Sequence, residues 1–151
     1  MRILFSVLMF VFTLAGFAQS YNQDKTAFTN FLIRMYESAP FEGVRAVEDY
    51  ENAYLMSVIK LDKEKYKSES ALNRVASVKA MSQASQFFNG SNITQDMIIR
   101  TTEKNDGSSD TEIIENIREN SIGYVKQLEQ LTNFPTSESS QVFIFITPIN
   151  K

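Results

Sequence analysis

The sequence predicts an α+β domain in which helices rest on a β-sheet, and three observations carry that prediction. Between Arg74 and Gly90, alanine stands at positions 76, 80 and 84, one line along a single helix face. Ala53 to Leu61 and Gln141 to Thr147 have strand composition and are apolar on both faces at their middles. Helical and extended patterns then alternate along 151 residues, a length sufficient for one core without staples.

The first 18 residues stand apart from that domain. Met1-Arg2 supplies a short positive head, and Ile3 to Phe17 is apolar apart from Ser6, Thr13 and Gly16. Gly16 and Ala18 place small residues where a signal peptidase needs them, so residues 1–18 read as a secretory signal cut between Ala18 and Gln19. The apolar run is shorter than the roughly 20 residues of a spanning helix, and no basic stop follows it. Export to a periplasm or to the outside is the expected destination. With no cysteine at the cut no lipid anchor is predicted, and with no cysteine anywhere the exported fold is expected to be held by its core.

Residues 19–52 are expected to form an N-terminal helix and connector, and residues 53–148 the α+β core. From Asp24, the apolar residues Phe28, Phe31, Leu32 and Met35 fall at i, i+3, i+4 and i+7, with Tyr36 beside them. That stripe is either core or a candidate interface. The pair Ala39-Pro40 ends the helix, because the residue before proline avoids helical angles. Phe41 to Asn52 reads as connector. After the first strand at 53–61, the run Asp62 to Lys67 alternates in charge sign and reads as a solvated link. Ser68 or Ser70 caps the central helix, which stops at Asn89-Gly90.

Leu72, Ala76, Ala80, Ala84 and Phe88 share one face of that helix, flanked by Val75, Val78 and Met81. Methyl-sized groups on the line let the helix axis approach a flat neighbour closely, which is the reason to place it on a sheet. Thr94 to Thr102 reads as a second strand and Lys104 to Ser108 as a turn. Ser109 to Glu112 fits a capping box opening a helix with Ile113, Ile114 and Ile117 inside. Ser121-Ile-Gly123 reads as a break. Tyr124 to Thr132 fits either strand or helix, and Asn133 to Ser140 is a polar loop before the last strand.

The same composition removes several chemistries. There is no histidine, so Ser-His and Cys-His machinery and the usual zinc and iron sites are excluded. An EF-hand register around Gly107 would put Thr102, Lys104 and Ile113 at ligand positions, so that motif fails and no cofactor or metal is predicted. Ser77 with Lys79, and Glu115 with Glu119, have spacings no better than chance. Asn92-Ile-Thr94 matches a glycosylation acceptor only as a three-residue coincidence. Without the leader, 14 basic side chains face 18 acidic ones, a balance near −4 with no basic run. Nucleic acid and anionic lipid are therefore not expected as partners.

Tyr54 to Leu61, Ala71 to Phe88, Ile117-Arg-Glu-Asn-Ser-Ile-Gly-Tyr-Val125 and Val142 to Ile146 together resemble a family of small bacterial envelope lipoproteins. That family is related to the N-terminal domain of the flagellar assembly protein T. The resemblance spans 53–148 and rests on patterns of small and apolar residues. It implies that 124–132 is a strand paired with 141–147, giving the order α-β-α-β-α-β-β with helices on one face of an antiparallel sheet. It further implies an accessory or assembly role in the envelope without catalysis. The missing acylated cysteine and the added helix near 24–38 depart from the family pattern. The expected function is thus an exported, non-enzymatic domain that binds another envelope protein or itself. A carrier of small apolar ligands and a histidine-free hydrolase are the alternatives.

Overall fold

The alanine line meets its sheet. In a computed structural model, residues 25–50, 52–90, 98–100 and 107–149 are described. They fall in two compact units, Met1–Pro40 and Phe41–Lys151. In the first, helix α1 covers 25–38. It closes where Ala39 N–H and Ser38 Oγ both donate to the Met35 carbonyl, at 3.0 and 2.8 Å. Along its stripe Leu32 and Tyr36 are buried, and Phe28, Phe31 and Met35 are half-buried. The leader, with Ala18 and Gln19, lies outside the described residues, as do Asn92 to Thr94.

The second unit contains β1 (Gly43–Asp49), β2 (Asn52–Asp62), α2 (Glu69–Gly90), β3 (Ile98–Arg100), α3 (Gly107–Lys126), β4 (Glu129–Pro135) and β5 (Ser140–Ile149). Five strands form one sheet in the order β3-β1-β2-β5-β4. The class is α+β, as expected. Helix α3 opens at Gly107, ahead of the box read at Ser109, and β4 runs to Pro135, into the stretch read as a loop. Three further differences concern the strands and the end of α3. First, 43–49, read as connector, is a strand that pairs antiparallel with β2 along its whole length, from Gly43 opposite Val58 to Asp49 opposite Asn52. Second, the sheet is mixed, because β3 runs parallel to β1. Third, α3 passes through Ser121-Ile-Gly123 to Lys126, so the ambiguous 124–132 stretch divides into a helix end and strand β4. β4 does pair antiparallel with β5, with a bulge between Gln130 and Thr132.

The core lies between α2, α3 and one face of the sheet. Leu72, Ala76, Ala80 and Ala84 of α2 and Ile113, Ile117 and Tyr124 of α3 cluster with Leu55, Ile59, Leu61, Phe143 and Phe145. All three alanines have zero exposure, as the spacing required. A polar tether sits in that seam: Ser57 Oγ donates to Gln83 Oε1 at 2.7 Å. The Ala80 carbonyl stands 3.4 Å from the same hydroxyl, too far to compete for its single proton. Ser68 is the cap of α2, its Oγ accepting from Ala71 N–H at 3.2 Å. On the opposite sheet face Val47, Met56, Val58, Val142 and Ile144 are buried too, so the double-sided apolar pattern of β2 and β5 is real.

Candidate functional site

The last turns of α2 and α3 define a cleft. Ser85, Phe88 and Asn89 stand at i, i+3 and i+4 on α2, one surface ridge. Ser121, Ile122, Val125 and Lys126 face them from α3, and the open space between has a volume of about 140 Å³. Phe88 is held by its neighbour Phe87, edge to face at 5.5 Å, and both pack against the core. Val125 likewise reaches the core, so the floor of the cleft is continuous with the interior. Ser85, Asn89, Ser121 and Lys126 add hydroxyl, amide and ammonium groups around that floor.

Two features of the α3 side add nothing to the stability of the fold. Ile122 is 74 % exposed, the most exposed of the large hydrophobic residues among those described. Gly123 sits inside the helix, where glycine costs about 1 kcal/mol relative to alanine. A Cβ built there would meet nothing within 4 Å, so internal packing gives no reason for the glycine. Downstream, Gln127 N–H lies 3.2 Å from both the Gly123 and Tyr124 carbonyls and ends the helix, and Leu128 is buried just beyond. The last turns of both helices thus line the cleft, and Lys126 is the cation in the last turn of α3.

Other candidates do not assemble. Glu112, Glu115 and Glu119 are exposed along α3, a solvated face. Ser77 is half-buried and Lys79 exposed on α2. Phe28, Phe31, Leu32 and Met35 belong to the first unit and contribute nothing to the cleft. Among the described residues, no group of three acidic, histidine or cysteine side chains is placed to hold a metal, and no helix is long and apolar enough to cross a membrane. The buried polar atoms Asn73 Oδ1, Tyr124 OH and Thr147 Oγ1 have no hydrogen-bond partner among the described residues. Sequence reasoning missed the cleft because it took 121–123 for a break. The available signal was the heptad from Ile117 to Tyr124, which keeps both on one helix face. Comparison with family models, curated proteins and solved structures finds no match.

Proposed function

We propose that this chain is an exported, non-catalytic envelope domain that docks a protein partner through the α2–α3 cleft. The observation that carries the reading is the pair Ile122-Gly123: an isoleucine held in solvent beside a helical glycine that the fold does not need. The glycine weakens the isolated domain and the exposed isoleucine adds nothing to it, and both suit close approach of a partner's backbone and side chain. A cleft of about 140 Å³ takes one side chain. It falls below the few hundred Å³ of a small-molecule site, which disfavours the apolar-ligand carrier. The leader read from residues 1–18 and the likeness to envelope lipoproteins supply the location and the accessory role.

A photo-crosslinking residue at position 122, compared with one at exposed Lys79, tests the docking. The expected result is a discrete adduct in the envelope fraction from position 122 and none from 79. N-terminal sequencing of the exported protein is expected to begin at Gln19. Equal labelling from both positions, with turnover of a substrate by the purified protein, overturns the proposal.

A further inference from the structure

We propose that Asn89 is a spontaneous deamidation site, and that the carboxylate it becomes pairs with Lys126 across the cleft. Asn89-Gly90 is the only Asn-Gly dipeptide in the sequence. Glycine at 90 has no Cβ to crowd its backbone nitrogen, but that nitrogen belongs to the last helical turn, so its attack on Cγ of Asn89 follows local opening of the turn. Asn89 is exposed and occupies the final turn of α2, where the terminal carbonyls have no intrahelical partners. Local opening there breaks few hydrogen bonds.

The chemistry balances with water as the only co-reactant. The Gly90 backbone nitrogen gives up its proton and bonds to Cγ of Asn89, closing a succinimide ring. The bond from Cγ to the amide nitrogen Nδ2 breaks, and ammonia leaves with the proton. Water then adds to one of the two ring carbonyls and opens the ring to aspartate or isoaspartate.

What makes this position different from an ordinary surface asparagine is its surroundings. Asn89 and Lys126 line the same cleft, and Lys126 pairs with no carboxylate among the described residues. A negative charge in the last turn of a helix is opposed by the helix dipole. Lys126 supplies the opposing charge that offsets this. Deamidation therefore converts a neutral amide rim into an ion pair bridging α2 and α3, and changes the charge that any occupant of the cleft meets.

The full-length protein, held in mildly alkaline buffer and mapped by peptide mass spectrometry over time, tests the first half. Asn73, half-buried near the start of α2, and Asn133, whose Oδ1 accepts from Gln141 Nε2 at 2.7 Å, serve as references in the same digest. Conversion at position 89 is expected to outpace both many-fold, and Gly90→Ala to abolish the difference. The pairing is read from unfolding midpoints: Asn89→Asp is expected to lower the midpoint less in the natural background than in Lys126→Gln. Conversion at 89 no faster than at 73 and 133 overturns the proposal, as does an equal midpoint shift in the two backgrounds.

Discussion

Replacing Ala80 with leucine puts the layering of the core under direct strain. Ala80 has zero exposure, and its own carbonyl stands 3.4 Å from a strand hydroxyl, so the helix is held tight to β2 at that level. Leucine adds three carbons where no space is open. The side chain must leave its preferred rotamer or lift α2, a cost of about 1–3 kcal/mol for overpacking. Lifting α2 also stretches the Ser57–Gln83 hydrogen bond of 2.7 Å. Its loss adds about 0.5–1.5 kcal/mol. A combined destabilisation of about 1.5–4.5 kcal/mol is therefore expected, a large share of the roughly 5–15 kcal/mol that holds a domain. Urea unfolding followed by far-ultraviolet circular dichroism measures it, with Val78→Leu as control. Val78 is 62 % exposed on the same helix. Its substitution is expected to stay within about 0.5 kcal/mol of the natural protein. An Ala80→Leu midpoint indistinguishable from that control would refute close helix-to-sheet contact, and with it the reason given for the alanine spacing.

The same unfolding assay checks three further substitutions. Thr147→Val keeps shape while removing a buried hydroxyl that has no partner among the described residues, and is expected to raise stability by about 1 kcal/mol; a loss would reveal a hydrogen bond to Thr147. Tyr50, at the β1–β2 turn, has φ 54° and is 66 % exposed, so Tyr50→Asn is expected to gain about 0.5–1 kcal/mol by suiting the left-handed backbone. A fall in midpoint would mean the Tyr50 ring packs against the domain. Gly123→Ala is expected to gain about 0.5–1 kcal/mol through helix propensity, since the added methyl meets open space; a decrease would show that the glycine serves the fold itself.

The central helix was legible because its signals agree at every level. Ser68 caps it, the apolar line repeats every four residues, and Asn89-Gly90 closes it. Strands β2 and β5 were legible for a related reason: buried on both faces, they carry long apolar runs that resist any other reading. β1 was not legible. Arg45, Glu48 and Asp49 dilute its seven residues, and what makes it a strand is pairing to β2, a tertiary effect that local composition does not report. The parallel pairing of β3 escaped notice likewise, since three residues hold too little pattern to fix a direction. In α3 the local signal pointed the wrong way. Gly123 suggests a stop, yet burial of Tyr124 one heptad after Ile117 outweighs the roughly 1 kcal/mol that a single helical glycine costs.

The cleft illustrates why a site is harder to read than a fold. Its two halves, 85–89 and 121–126, are far apart in sequence, and neither contains a motif that chemistry demands. Each half looks like ordinary helix termination when read alone. Only when α2 and α3 are laid side by side does Ile122 become an apolar group with no interior to enter, and Gly123 a conformational cost with no steric cause. A domain selected for its own stability alone would gain from alanine at 123 and lose almost nothing from a polar residue at 122. Folding and docking therefore make opposite demands at these adjacent positions. The combination that identifies docking is a stabilising Gly123→Ala together with a neutral Ile122→Ser, both of which weaken crosslinking from a photo-reactive residue placed at Ser85 across the cleft. If Ile122→Ser instead unfolds the domain, position 122 is part of the core and the cleft loses its claim as an interface.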